Sequence, residues 1–233
     1  MIKYILVFVA VIGLAWVLYP LVRDFSQPQE LNPLASEYVR SSTADLNVPN
    51  VVTAVVVTYR GLDTLGEVTV LFLATAGIGY FLKRRKSRQP EKRIAGSEIL
   101  QTGARLLTPL IMILGIYIFT HGHLSPGGGF QGGVVIASGI LLIFMAETEF
   151  HLSHLLLHLS ESFSGMIYVL LGLLGLLLLG ANHYLDPRYL AAGRYLALFS
   201  AGAVPVIYSL IGIKVGSELA SVLSSIQDDG GEL

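Results

Sequence analysis

"FSGMIYVLLGLLGLLLLGAN", residues 163–182, is twenty residues long and contains no charged side chain. A bilayer core needs roughly 20 apolar residues for each helical span, so this stretch predicts a membrane helix. Its glycines Gly172, Gly175 and Gly180 predict points where neighbouring helices approach closely, and not a chemical site. The fold class therefore depends on whether such stretches recur along the chain.

Apolar stretches recur throughout the 233 residues, of which 53% are hydrophobic and 13% are charged. The mean hydropathy of +0.68 is too high for an ordinary soluble domain. Further spans are predicted near residues 2–22, 58–82, 102–121, 130–148 and 195–215. We expect an all-α integral membrane protein of about six transmembrane helices, two before and four after a basic segment, located in the cell membrane.

The basic segment is "KRRKSRQPEKR", residues 83–93, with seven basic residues and one acidic residue. By the positive-inside rule this loop is cytoplasmic, which places the N-terminus in the cytoplasm and residues 23–57 outside. Within that segment, residues 24–50 are polar and punctuated by proline, and we expect them to be irregular on the outer side. Residues 1–20 could form a signal peptide, but no A-x-A site follows them, so a retained first span is expected.

The chain contains no cysteine, so it cannot supply thiolate ligands to an iron–sulfur cluster, a disulfide or a nickel site. We therefore expect no cofactor in this chain and assign any redox chemistry to a partner. Membrane lipid and other membrane proteins are the expected partners, and nucleic acid is not.

Charged residues occur inside a predicted span in "YRGLDTLGEVTVL", residues 59–71. Arg60, Asp63 and Glu67 are spaced by three and four, which predicts one helical face with Thr64 beside it. A carboxylate at mid-bilayer costs roughly 2.5–3.5 kcal/mol on insertion scales, so these side chains must face protein or water. The pattern indicates either an ion or proton path or a structural Arg60–Asp63 pair.

A second polar cluster is "AETEFHLSHLLLHLSES", residues 146–162. Glu147, His151, His154 and His158 recur at intervals of four, three and four, which predicts one stripe on a helix that continues past the membrane. H-x-x-H is a weak metal-binding signal. The favoured interpretation is the wet face of an amphipathic connector at the cytoplasmic interface, with a proton relay as the alternative.

The last predicted span contains "IGIKVGSEL", residues 211–219, in which Lys214 precedes Glu218 by four residues. Lys214 could extend to the cytoplasmic interface along its own helix. If it instead points into the bundle, Lys214 and Glu218 are candidates for an ion path. Residues 221–233 read as a polar, acidic tail that is frayed.

Six glycines lie in "GHLSPGGGFQGG", residues 122–133, between two apolar stretches. No G-K-[ST] sequence follows, so this is not a phosphate-binding loop of the usual kind. Glycine permits positive φ and close packing, which predicts that the loop folds back into the bundle with Phe130 as an anchor.

Three segments carry a resemblance to known families. "HGHLSPGGGFQGGVVIASGILL" resembles the hallmark segment of the MnhB-type subunit of Mrp-class multi-subunit Na+/H+ antiporters, and "IGIKVGSEL" is similar to that family's closing segment. "TAVVVTYRGLDTLGEVTVLFLA", residues 53–74, resembles the R-G-x-D-T-x-G-E segment of the large Mrp antiporter subunit. The same segment occurs in a small subunit of membrane-bound hydrogenases and sulfane-sulfur reductases.

The resemblance implies four parts. These are a two-span region at 1–86, a basic cytoplasmic linker at 87–96, a four-span MnhB-like domain at 97–220, and the acidic tail. Because no large antiporter subunit precedes the R-G-x-D segment, we favour a membrane subunit of a hydrogenase or sulfane-sulfur reductase complex, without redox activity of its own. Its implied partners are other Mrp-type membrane subunits, including a large antiporter-like subunit, and a redox module.

The resemblance also implies roles for particular residues, with Na+ or H+ as the transported ion. Asp63, Thr64 and Glu67 are implied on a sodium path. The loop residues are implied in activity or assembly; they are Ser125, Pro126, Gly127, Gly128, Gly129 and Phe130. The alternatives are a subunit of a stand-alone Mrp antiporter, a scaffold that transports nothing, and a free-standing transporter, which the lack of an inverted repeat disfavours.

Overall fold

A computed structural model of the protein describes residues 2–23, 30–84, 96–180 and 183–228, and within these ranges it contains helices and no strand. The helices are α1 (Ile2–Arg23), α2 (Pro33–Ala44), α3 (Val51–Thr53), α4 (Gly61–Arg84), α5 (Glu98–Thr120), α6 (Gly129–Ala146), α7 (His154–Leu179) and α8 (Val204–Asp228). Short π-helical and 3-10 segments occupy Ala54–Tyr59 and Pro187–Tyr189.

In the part of the chain that the structure describes, six helices are long and apolar enough to cross a membrane: α1 and α4 to α8. The prediction of an all-α protein with six spans is confirmed. The cytoplasmic N-terminus stays a prediction. The predicted basic linker, apart from residue 96, and residues 229–233 of the predicted tail lie outside the described residues.

The chain divides into two compact units, Met1–Glu37 and Tyr38–Leu233. The first unit contains α1 and the beginning of α2. Every residue of α1 that the structure describes is exposed within this chain. The apolar surface of α1 is therefore not covered within the unit Met1–Glu37.

The second unit is built around α8, which packs against α4, α5, α6 and α7. Half of the membrane-spanning window of α8 is buried, compared with 6% for α4. Glycines bring α6 against both of its neighbours: a Cβ at Gly132 would lie 2.6 Å from the Gly115 carbonyl oxygen of α5, and one at Gly133 would lie 2.8 Å from the Gly212 oxygen of α8. The backbones therefore meet directly, as expected for helix packing in membranes.

One end of the bundle, which we call the glycine-loop end, carries residues 121–128, the beginning of α8 and the segment 183–203. Leu185 is fully buried there and packs into the core. The predicted last span, 195–215, is wrong in its position because α8 begins only at Val204. Leu196 and Ala201 adopt positive φ values of 63° and 65°, so the apolar residues before Val204 form a loop and not a helix.

Three other boundaries differ from those expected. Residues 33–44 are helical and not irregular, because the side chain of Asn32 accepts a hydrogen bond from the Ala35 N–H (2.7 Å) and proline occupies the first helical position. Helix α7 begins nine residues earlier than the predicted span at 163–182. Helix α8 continues through residues 221–228, which were predicted as a frayed tail.

Candidate functional site

The R-G-x-D-T-x-G-E segment begins at an irregularity in the backbone. The Arg60 N–H bonds to the Val55 carbonyl oxygen at 2.7 Å, which closes a π-helical turn, and α4 starts afresh at Gly61. The Thr64 hydroxyl is buried and donates to the Val56 carbonyl oxygen at 2.5 Å. Such π-helical turns are rare in proteins overall, and those that occur are often found at functional sites. Arg60 therefore lies at a junction between helices, directly before the helix that carries Asp63 and Glu67.

Arg60 and Asp63 form an ion pair at 2.5 Å, and their side chains are 63% and 51% exposed. Glu67, one turn further along α4, is also exposed and forms no ion pair with a described residue. Within this chain alone, the three charges face outward from the bundle. They could be sheltered from hydrocarbon only by a neighbouring subunit or by water.

Lys214 and Glu218 form the charged pair at the centre of the bundle. Lys214 Nζ lies 2.6 Å from Glu218 Oε1, with side chains that are 11% and 0% exposed. The ammonium group also lies 5.3 Å from the centre of the Phe72 ring of α4. The interpretation in which Lys214 extends to the interface is wrong, because its side chain is buried against the fully buried Glu218.

One carboxylate oxygen of this pair accepts no hydrogen bond from a described residue. Glu218 Oε2 is buried without a hydrogen-bond partner among the described residues. Glu161 of α7 interacts with Glu218 electrostatically, and Gly165 of α7 leaves room for the Lys214 side chain, whose Nζ would lie 3.5 Å from a Cβ at that position. A buried polar atom without a partner is costly, which makes this oxygen a candidate for a transported cation or a proton.

Helix α4 carries one charged region on its exposed face and contacts the other through Phe72. Tyr208 of α8 donates to the hydroxyl of Thr53, which precedes α4, and the exposed Glu67 lies in the second turn of α4. Five residues further along α4, Phe72 contacts Lys214, six residues beyond Tyr208. The helices therefore run in the same direction, with about 9 Å along α8 between Tyr208 and Lys214.

The glycine loop is tied into the bundle by a set of hydrogen bonds. The Thr53 hydroxyl donates to the Gly122 carbonyl oxygen at 2.6 Å, and the Asn50 amide donates to the Gly122 and Ser125 oxygens at 2.9 and 3.0 Å. Tyr208 donates in turn to the Thr53 hydroxyl at 3.1 Å. The loop does fold back into the bundle, as predicted.

Each residue of the loop motif has a distinct place. Gly127 has a φ of 149°, a conformation that favours glycine, and Gly128 caps α6. Gly129 is buried, and Phe130 packs against the core. Pro126 is exposed, and Ser125 is half-buried with its hydroxyl 3.3 Å from the His121 carbonyl oxygen.

His123, also in the loop, is fully buried, and its Nδ1 has no hydrogen-bond partner among the described residues. Its Nε2 lies 3.5 Å from the Ala197 carbonyl oxygen. Burial lowers the pKa of His123, because the apolar surroundings disfavour the charged ring.

A polar cluster that we did not predict lies in the segment 183–203. Arg188 Nε donates to both oxygens of Asp186 at 2.9 and 3.0 Å, and His183 Nδ1 lies 2.8 Å from Asp186 Oδ2. Burial by itself would raise the pKa of Asp186, but the hydrogen bonds from Arg188 and His183 outweigh it and hold the pKa below its usual range. The sequence signal is Asp186 before Pro187, a helix-capping pattern.

The predicted stripe of Glu147, His151, His154 and His158 does not exist on one helix. Helix α6 ends at Ala146 and α7 begins at His154, so the first two residues lie in a turn between helices. Glu147 binds Arg105 at 2.8 Å, and His151 Nδ1 contacts the Glu149 carbonyl oxygen. Among the described residues, no group of three histidines or carboxylates is arranged to hold a metal ion.

Two protein-family models match this chain, one in each of its two parts. Residues 2–98 match the MbhE family model, which describes the E-type subunit of MBH, and residues 99–221 match the model described as a domain related to the MnhB subunit of the Na+/H+ antiporter. The B-type subunit of the Na+/H+ antiporter of Bacillus subtilis is 44% identical over 48 residues, which cover 21% of this chain and 34% of that protein. The chain thus matches about a third of that relative.

Two solved structures are similar to the whole chain. A chain of the membrane-bound sulfane sulfur reductase, an archaeal respiratory membrane complex, is 40% identical with a TM-score of 0.80, over 97% of this chain and 98% of that one. A chain of the Mrp complex from Dietzia sp. DQ12-45-1b is 27% identical with a TM-score of 0.73, over 98% of this chain and 26% of that one.

Proposed function

Because the chain belongs to the family of domains related to the MnhB subunit of Na+/H+ antiporters, we propose that it is a multi-pass membrane subunit of a redox-driven, ion-translocating complex. In that complex it contributes to the Na+/H+ antiport module. Its partners are other antiporter-like membrane subunits and a redox module. Of the two similar structures, the sulfane sulfur reductase chain is the more similar, at 40% against 27% identity, which favours a redox-linked complex over a stand-alone antiporter.

One observation carries the proposed role in transport: Glu67 is an exposed carboxylate on a membrane-spanning helix. A carboxylate in contact with hydrocarbon is costly, so Glu67 faces a water-filled path or another subunit. It lies about 9 Å along α4 from Gly61. Asp63 at the preceding turn is held by Arg60, and this leaves Glu67 as the carboxylate able to take up a cation.

The buried pair extends this path into the bundle. The path runs from Glu67, on the exposed face of α4, to the buried Lys214–Glu218 pair of α8, which lies beside Phe72, five residues further along α4. The unpartnered oxygen of Glu218 is the inner acceptor for Na+ or H+. The chain supplies no thiolate, since it has no cysteine, and electron transfer is the task of the redox module.

The test is Glu67→Gln in the complete complex reconstituted in vesicles, with sodium flux measured per assembled complex. We expect flux to fall at least tenfold, because the neutral amide cannot balance the charge of a cation. Glu149→Gln, an exposed glutamate in the turn before α7, is the matched control and should retain flux.

The same experiment tests the scaffold alternative, which the Arg60–Asp63 pair favours. If Glu67 only fixes packing between subunits, Glu67→Gln lowers the amount of assembled complex while each complex transports normally. Normal flux per complex would therefore refute the proposed ion path.

A further inference from the structure

We propose that a phospholipid from the surrounding bilayer binds in the groove between α5 and α6. Its phosphate lies at Arg105, and one acyl chain lies in the apolar part of the groove. The site is at the opposite end of the bundle from the glycine loop, where α5 begins and α6 ends, and it is independent of the proposed ion path.

The groove is charged at one end and apolar along the rest, which suits a ligand with a polar headgroup and an apolar chain. It encloses about 470 Å³, with a charged end and an apolar floor. The residues that line it include Arg105, Thr108, Met112, Ile143, Glu147 and Phe150. The charges lie at one rim, and the lining side chains further along α5 and α6 are apolar apart from Thr108, whose hydroxyl lies 3.5 Å from the Gly139 carbonyl oxygen. A headgroup and a hydrocarbon chain therefore each find a matching surface.

The charged rim leaves hydrogen-bond donors for a phosphate. Arg105 Nε donates to Glu147 Oε1 at 2.8 Å, which orients the guanidinium on a side chain that is 71% exposed. Both terminal amino groups are left to donate to phosphate oxygens, a geometry for which guanidinium is well suited. Glu147 ends α6, so this rim marks the level at which the helix leaves the apolar layer.

The apolar part is formed in advance of binding. Phe150 packs against Phe144 with ring centres 5.7 Å apart, and its carbonyl oxygen accepts a hydrogen bond from Gln227 of α8 at 3.1 Å. Pro109 lies four residues after Arg105 in α5 and has no N–H. The Arg105 carbonyl oxygen therefore lacks the hydrogen bond that it would accept in a regular helix. A wall fixed in this way reduces the entropy lost when a flexible chain binds.

Charge also favours a lipid over the helix of another subunit as the occupant. A helix laid across the groove would remove the Arg105–Glu147 pair from water, and burying an ion pair is costly unless further partners replace the water. A lipid headgroup keeps both charges in the polar layer and adds a phosphate to Arg105.

The experiment measures lipid bound to the purified complex by native mass spectrometry, after stripping and re-addition of phosphatidylglycerol or of diacylglycerol with the same chains. Arg105→Gln should reduce bound phosphatidylglycerol at least tenfold, because it removes the charge-assisted hydrogen bonds of both terminal amino groups. Ile143→Trp, which fills the apolar part, should do the same. Arg194→Gln and Leu106→Trp change an exposed arginine and an exposed leucine elsewhere and should have no effect.

Three results would overturn the proposal. One is unchanged binding in both groove variants, and another is equal binding of diacylglycerol and phosphatidylglycerol. The third uses a photoreactive residue in place of Met112, where a cross-link to a neighbouring subunit instead of to lipid would show that protein fills the groove. None of these results bears on sodium flux through Glu67.

Discussion

At the scale of single residues, we expect the stability of the bundle to depend on the buried Lys214–Glu218 pair. Glu218→Leu leaves the ammonium of Lys214 without its carboxylate partner in a site that is only 11% exposed. Loss of one partner of a buried pair costs about 3–5 kcal/mol, so we expect a clear fall in the thermal unfolding midpoint of the purified complex.

The double variant Lys214→Met with Glu218→Leu separates stability from transport. It removes both charges, so the unfolding midpoint should recover most of the loss, while ion flux should not recover. A double variant as unstable as Glu218→Leu would contradict a simple ion pair. A double variant with normal flux would remove the pair from the path.

His123 predicts a pH dependence at the glycine-loop end. Its pKa in the folded chain lies below the ordinary value of 6.5, so the unfolded chain binds the proton first as the pH falls. Its contribution to stability is therefore complete above about pH 6.5 and declines as the pH falls from there toward the folded-state pKa.

The check is the unfolding midpoint between pH 7.5 and 5 for the wild type and for His123→Gln. The variant should lose less stability on acidification than the wild type does. His151→Gln, at an exposed histidine, is the control and should follow the wild-type profile. Identical slopes for His123→Gln and wild type would refute the role of His123.

At the scale of elements, the position of α6 is set by backbone contact through glycine. We expect Gly133→Ala to destabilise the bundle by about 1–3 kcal/mol, because the added Cβ would meet the backbone of α8 at 2.8 Å and the helices must separate. The measurement is again thermal unfolding of the complex. Gly103→Ala on α5, where a Cβ meets no atom within 4 Å, is the matched control and should be neutral.

At the scale of the whole molecule, we expect another subunit to pack against the exposed face of α4, which carries Asp63 and Glu67. Gly66 lies on this face between Asp63 and Glu67, and a Cβ there meets nothing within 4 Å in this chain. Gly66→Leu should therefore leave the fold of the chain intact. It should lower recovery of the assembled complex several-fold, because the larger side chain obstructs the approach of another subunit.

The assembly prediction is checked by the ratio of assembled complex to membrane-inserted subunit. Gly103→Leu, at the open position on α5, serves as the control. Equal recovery for the two variants would show that the α4 face meets lipid or water instead of a protein partner.

The sequence by itself determined the class of the protein and most of its helices. Runs of about 20 apolar residues locate spans because each residue in lipid contributes locally to the free energy of insertion. The same argument failed at 195–203, since hydropathy does not separate an apolar loop from a membrane helix. The continuous stripe from Glu147 to His158 failed for a related reason: periodicity does not reveal where a helix stops.

Only the tertiary structure decided where the charged side chains point. The Lys214 side chain points inward because two residues far away along the chain accommodate it. Phe72 places an aromatic ring beside the ammonium group, and Gly165 has no side chain that would occupy the same space. Asp63 and Glu67 have the predicted spacing, yet both side chains are exposed on the surface of the unit Tyr38–Leu233. The orientation of a buried charge is set by what packs against it, and packing joins residues whose positions in the sequence are unrelated.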